Sequence, residues 1–261
     1  MSSVSRSVSR SVSLSVIGGQ QNLTQLIKSL FADGTQGLYL NAQDALSVSD
    51  LSSIKDLSGR NNHATQANAT SRASLITDPS GYKSLKFDGV DDSYVTQSID
   101  FTGTDKVTVI AAVRKLSDAV TGVLTELSAS ADVTPNSFYL TAPSAGNSSF
   151  RFYSKAASTT TAVAVPTGVA QSPISCVATA KSAMVSGGDV TLKVNQQSYA
   201  TKNTTAIGNY GNYPLYIGRR GGITYAFNGQ IYALLVIGKL LDDATTQKIE
   251  KEFAKYIGVT L

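Results

Sequence analysis

Side chains able to do acid–base, nucleophilic or metal chemistry are few in this chain of 261 residues. Glycoside hydrolysis needs two carboxyl groups facing one cleft. Of the three glutamates, Glu250 and Glu252 fall in a helical stretch near the C-terminus. Only Glu126 lies in a strand-like run, and its alternate neighbours are Leu124 and Ser128. No catalytic residue is assigned, and the chain reads as a non-enzyme. His63 is the only imidazole and sits in the polar loop Arg60-Asn-Asn-His-Ala-Thr65, with no Gly-x-Ser-x-Gly nucleophile turn. It reads as a residue that hydrogen-bonds its own loop. Cys176 is the sole cysteine, which excludes an intrachain disulfide and a Cys-based zinc site. Its alternating surroundings, Ile174-Ser-Cys-Val-Ala, make it a small buried hydrophobe. Asp88, Asp91 and Asp92 share one turn and are weak calcium candidates. Aspartate beside a turn glycine commonly serves backbone hydrogen bonding instead, so no cofactor is expected beyond that candidate.

Sugar recognition needs aromatic faces combined with amide, hydroxyl and guanidinium groups. Asn209, Tyr210, Asn212 and Tyr213, followed by Arg219, Arg220 and Tyr225, have that composition and form the candidate glycan-binding set. The competing expectation is that Tyr213 and Tyr216 pack inside the fold. A second stretch, Ala156–Gln171, is rich in Thr and Ala and reads as an exposed loop able to serve as a contact surface.

The elements holding these residues are mostly strands. From Gly37 onward, short alternating runs are separated by Gly, Asn, Asp and Pro turns. Strands are expected near Leu38–Asn41, Ser84–Asp88, Ser93–Ser98, Lys106–Lys115, Gly122–Leu127, Ser137–Thr141, Ser149–Lys155, Ile174–Lys181, Val190–Asn195, Leu215–Gly218 and Gly229–Ile237. That many strands without helical alternation predicts an all-β, two-sheet sandwich. A closing helix is capped by Asp242, lined by Ile249, Phe253 and Ile257, and stopped by Gly258. Near the N-terminus, Leu23, Leu26, Ile27, Leu30 and Phe31 form one apolar stripe of a short helix, with Asn22 as N-cap and Gly34 as stop. A helix this short must dock on something larger.

Residues 2–16 follow a different rule. Serine occupies every odd position from Ser3 to Ser15, and the even positions read Val4, Arg6, Val8, Arg10, Val12, Leu14 and Val16. In an extended chain this gives one serine face and one Val/Arg/Leu face. The strict period of two separates it from an ordinary serine-rich tail and suits a partner-bound arm, with Gly18-Gly19 as a joint. The expected organisation is therefore an anchoring arm over 1–19, a short helix and linker over 20–36, and one large β domain over 37–261.

Composition bounds the partners. Charged residues are 15% of the chain, so the surface must be largely Ser, Thr, Asn, Gln and Gly. A net charge of +4, scattered along the sequence, does not suggest nucleic acid. No apolar run approaches the ~18 residues of a membrane span, and the N-terminus lacks the apolar core of a signal peptide. The expectation is a protein made in a cytoplasm, neither membrane-inserted nor secreted by that route.

Two long segments carry a resemblance. Asp56-Leu-Ser-Gly-Arg-Asn-Asn-His-Ala-Thr65 followed by Leu85-Lys-Phe-Asp-Gly-Val-Asp-Asp-Ser-Tyr-Val95 resembles the front half of a laminin-G-like, concanavalin A-like lectin/glucanase domain. Phe227-Asn-Gly-Gln-Ile-Tyr-Ala-Leu-Leu-Val236 with the helix after it resembles that family's last strand and closing helix. More narrowly, Leu30-Phe-Ala-Asp-Gly-Thr-Gln-Gly37 and Asn209-Tyr-Gly-Asn-Tyr-Pro-Leu-Tyr-Ile-Gly-Arg-Arg220 are similar to segments of tailed-phage and prophage structural proteins. The resemblance implies a jelly roll of two antiparallel sheets. It also implies a bacteriophage virion protein on the particle surface, either capsid decoration (head fibre) or tail component. Such a protein would be a homo-oligomer, held to other virion proteins by the arm and displaying its domain toward cell-surface glycans. Relatives that cleave glucans place Glu, Asp and Glu at alternate positions of one strand, and this chain has no such triplet. Relatives often carry tryptophan near Tyr39, and this chain has none. The alternative is a free carbohydrate-binding module or a catalytically degenerate glycoside hydrolase.

Overall fold

The computed structural model describes residues 23–44, 48, 50–131, 134–144 and 148–261. The arm over 1–19, with Val4, Arg6, Val8, Arg10, Val12, Leu14 and Val16, lies outside the described residues, as does the cap Asn22.

Two eight-stranded antiparallel sheets form a jelly-roll sandwich. The first sheet runs β14 (Gln197–Lys202), β13 (Asp189–Val194), β12 (Ile174–Ala183), β7 (Lys106–Lys115), β16 (Asn228–Ile237), β5 (Lys83–Asp88) and β4 (Ser74–Thr77), with β1 (Gly37–Asn41) also paired to β16. The second runs β11 (Thr160–Ala164), β10 (Arg151–Lys155), β9 (Ser137–Thr141), β8 (Val123–Leu127), β15 (Asn212–Ile217), β6 (Tyr94–Asp100), β3 (Ala64–Thr65) and β2 (Ser53–Ile54).

Side-chain alternation builds three layers. On β7, Val109, Ala111 and Val113 face the second sheet, while Ile110 and Ala112 face away from it. On β16, Leu234 and Val236 point inward and Leu235 and Ile237 outward. Both faces of these central strands are apolar because both are covered. The inner face meets Leu127, Phe138, Leu140 and Phe152 of the second sheet. The outer face meets the helices: Leu23, Ile27 and Phe31 of α1 (residues 23–30) and the turn after it, and Ile249, Phe253 and Ala254 of α2 (Asp243–Tyr256). The Asp242 carboxylate accepts from Thr245 N at 2.8 Å and caps α2. Gly258, at φ +67°, ends it.

The first family-like segment is a structural device. The buried Asp56 carboxylate accepts from the amides of Tyr39, Ser58 and Asn62 at 2.9, 2.8 and 3.0 Å, pinning the loop to β1. His63 Nδ1 accepts from Asp56 N at 3.1 Å, the loop role expected of it. Cys176 is fully buried, and burial pushes its thiol up to about 12.

Several expectations are corrected. Part of Ala156–Gln171 is the edge strand β11, paired with β10 and burying Val163, rather than a loop throughout. The edge strand β14 and the short β2, β3 and β4 had no alternating signal. β14 leaves four of its six residues exposed, and β2 and β3 have two residues each.

Candidate functional site

Neither helix covers the outer face of the second sheet among the described residues; the β15–β16 loop lies over β8, and the outward residues of β10 are half-buried. Register decides what stands there. Tyr153 pairs with Tyr139 across β10 and β9, Tyr139 with Glu126 across β9 and β8, and Glu126 with Tyr216 across β8 and β15. Their sequence neighbours Phe152, Phe138, Leu127 and Leu215 turn inward to the core. One row on the open face therefore reads Tyr153, Tyr139, Glu126, Tyr216.

The two tyrosine rings stack, with centroids 4.2 Å apart and planes 16° from parallel. Arg220, from the β15–β16 loop, lies over this row. Its guanidinium is 4.9 Å from the Tyr139 centroid and 5.9 Å from that of Tyr225. Its Nε donates to Glu126 Oε1 at 3.2 Å. The other carboxylate oxygen accepts from Gly221 N at 2.8 Å. Gly221 has φ +53°, and a Cβ there would lie 2.2 Å from Ala131 N, so only glycine lets this amide approach. At the far end of the row, Arg151 sits 5.5 Å from the Tyr153 centroid and donates to the Tyr153 hydroxyl at 2.9 Å.

Glu126 is 1% exposed. Burial pushes its carboxyl up to about 6, against the opposing pull of Arg220 and the Gly221 amide. Burial likewise raises the Tyr139 phenol to about 12, and raises that of Tyr216 with help from the Glu126 charge. These two phenols are neutral hydrogen-bonding groups at ordinary pH. Neither cross-strand neighbour of Glu126 is a carboxylate.

The candidate glycan set is split by the fold. β15 separates its two halves by about 17 Å. Arg219, Arg220 and Tyr225 lie at one end, where Tyr225 is 49% exposed. Asn209, Tyr210, Asn212 and Tyr213 lie at the other. Tyr210 is buried, its ring against Phe138 and its hydroxyl 2.8 Å from Ser154 Oγ, so it is a core residue. Tyr213 also packs against the core, as the competing expectation had it, whereas Tyr216 does not and faces outward. Asn209 Nδ2 donates to Thr102 O at 2.6 Å, and Asn212 is exposed on the start of β15. Tyr139, Tyr153 and Arg151 are new to the site. Their signal was the parallel pattern of Ser-Phe-Tyr-Leu-Thr and Arg-Phe-Tyr-Ser-Lys, each with Phe inward and Tyr outward.

The three turn aspartates come together, with one oxygen of each within 4.8 Å of the others. Those carboxylates already serve the turn. Asp88 accepts from Val90 N at 2.7 Å, Asp92 from Asp88 N at 2.9 Å, and Asp91 from Ser71 Oγ at 2.7 Å. Burial and the charges of Asp88 and Asp91 raise the Asp92 carboxyl. This fits a hydrogen-bonded turn better than a set of free ligands.

No protein-family model and no curated protein sequence matches the chain. Solved structures do match in fold. The binding domain of botulinum neurotoxin DC, in complex with rat synaptotagmin II, aligns with a TM-score of 0.57 at 14% identity, over 85% of this chain and 51% of that one. Trypanosoma rangeli sialidase aligns at 0.57 and 16%, over 96% of this chain and 40% of that one. A structure on the cell entry of botulinum neurotoxin type C, dependent on interaction with two ganglioside molecules, aligns at 0.55 and 12%, over 85% and 51%. The chain thus spans about half the length of the toxin structures and two-fifths of the sialidase. At such identities the likeness shows the fold alone, a jelly roll of two antiparallel sheets.

Proposed function

We propose that this protein is a non-catalytic glycan-binding domain whose binding face is the outer surface of the second sheet. The observation that carries this reading is the stacked Tyr153–Tyr139 platform with Arg220 fixed over it by Glu126. The stacked pair offers ring edges and phenol hydroxyls beside the Arg151 and Arg220 guanidiniums, an amphipathic surface for the C–H groups and hydroxyls of a sugar, while the buried Glu126 carboxylate holds Arg220 from below. A position held by packing and second partners, as Arg220 is, loses little entropy on binding. The toxin that interacts with gangliosides shares only the fold, and one fold hosts many sites, so the ligand is read from the residues. Catalysis is not assigned, because Glu126 has no carboxylate opposite it in either neighbouring strand and is itself bonded to Arg220 and Gly221.

The particle setting is part of the same proposal and rests on the phage-like segments Leu30–Gly37 and Asn209–Arg220. The domain would be displayed on a virion surface, with the arm over 1–19 as its attachment and other virion proteins as partners.

A glycan panel probed with the full chain tests the binding reading. Binding to a defined set of glycans is expected, with a loss of tenfold or more for Tyr153→Ala and an unchanged melting temperature. An empty panel, or binding indifferent to Tyr153→Ala and Tyr139→Ala, refutes it. Mass spectrometry of purified particles tests the setting. Deleting residues 2–17 is expected to leave a folded domain absent from particles, and normal incorporation would refute the arm's role.

A further inference from the structure

The charges on the open face are not balanced. On β10, Arg151 and Lys155 project from the same side as Tyr153, two residues away in each direction. Their cross-strand neighbours are uncharged: Thr141 and Ala164 opposite Arg151, Ser137 and Thr160 opposite Lys155. Neither cation forms an ion pair among the described residues. Glu126, the acid of this row, is already taken by Arg220 and the Gly221 amide. Asp100, at the distant end of β6, is held by the amide and hydroxyl of Thr102. The half of the platform formed by β9 and β10 thus carries two uncompensated cations on either side of an aromatic ring.

We infer that the ligand of this face is an acidic glycan, one whose carboxylate or sulfate groups meet Arg151 and Lys155 while a sugar ring packs beside Tyr153. The inference rests on the proposed glycan-binding role and names the ligand class. Arg151 and Lys155 stand about 13 Å apart along the strand, so they address acidic groups on different residues of an extended oligosaccharide. Arg151 is the more constrained of the two. Its bond to the Tyr153 hydroxyl orients the guanidinium, and the remaining donors form a planar fork suited to a carboxylate. Lys155 supplies a mobile point charge. The small residues on the neighbouring edge strand β11, Thr160, Ala162 and Ala164, leave room beside them.

Calorimetric titration of the full chain with matched pairs tests this: oligogalacturonate against neutral galactan oligomers, sulfated against unsulfated galactan oligomers, and sialyllactose against lactose. At least one acidic member is expected to bind tenfold or more tighter than its neutral counterpart at low salt, with the gap narrowing as salt rises. The double variant Arg151→Gln/Lys155→Gln should erase that gap at unchanged melting temperature. Lys248→Gln/Lys251→Gln removes the same charge from exposed positions on α2 and should preserve it. Equal binding of acidic and neutral members overturns the acidic-ligand inference and leaves the glycan-binding function standing. An acidic preference that survives the β10 variant, or vanishes in the α2 variant, also overturns it by showing a diffuse charge effect. Binding of no member in any pair overturns the inference. The wider panel then decides separately on the function.

Discussion

Replacing Arg220 with methionine removes the cation bonded to Glu126 while keeping most of the side chain's length. Its cost should depend on pH in a calculable way. In the folded protein the Glu126 carboxyl is raised from its ordinary 4.5 to about 6, chiefly by burial. The folded state therefore holds this proton more tightly than the unfolded state. The group's contribution to stability is greatest below pH 4.5, falls as pH rises toward 6, and is flat above, a change of about 2 kcal/mol in all. At pH 7 wild-type Glu126 is ionised and pairs with Arg220. In the variant it escapes by taking up a proton, which costs about 1.4 kcal/mol from pH 7 for a group titrating near 6. The lost hydrogen bond adds about 1 kcal/mol. At pH 5 Glu126 is already mostly protonated, and only the second contribution remains. Urea melts of wild type, Arg220→Met and Glu126→Gln at pH 5 and pH 7 measure this directly. The expected penalty for Arg220→Met is about 2.4 kcal/mol at pH 7 and about 1 kcal/mol at pH 5. Glu126→Gln should abolish the fall in stability between the two. An equal penalty at both pH values would refute the account, as would parallel pH profiles for wild type and Glu126→Gln.

Lys115 is fully buried at the end of β7, bonded to Asp118 and to Ser148 O, with its ammonium 5.4 Å from the Phe150 ring. Asp118→Ala should destabilise the domain by about 3 kcal/mol in urea melts by leaving that charge unpaired, and Lys115→Met added to it should recover much of the loss. Cys176, with its thiol pushed up to about 12, should resist a thiol reagent at pH 8 in the native protein and react once urea unfolds it. A chelator should leave the melting temperature unchanged, since Asp88, Asp91 and Asp92 serve their own turn. A drop of several degrees that calcium alone restores would contradict that.

The sequence by itself determined the class of fold, most of the strands and both helices. Period-two alternation and the 22–33 stripe are consequences of local geometry, and they report which side of each element must leave water. β7 could be found because the continuous apolar run Val109–Val113 demands burial on both faces. β11 and β14 could not, because edge strands with small or polar side chains bury too little to impose a pattern. The loop from Asp56 to His63 was legible as a motif, but its role was not, since hydrogen bonds from Tyr39, Ser58 and Asn62 to one carboxylate exist only once β1 and the loop meet. The candidate site shows the same division. Composition pointed to Arg219, Arg220 and Tyr225, yet grouped them with Tyr210, which the fold buries about 17 Å away at the other end of β15. Only the tertiary structure put Tyr153 on Tyr139 and Arg220 over both β8 and β9, because cross-strand register and a loop's return over a sheet are non-local. A single strand's sequence states which face each side chain takes. It does not state which other strands supply the neighbours on that face, and here those neighbours make the site.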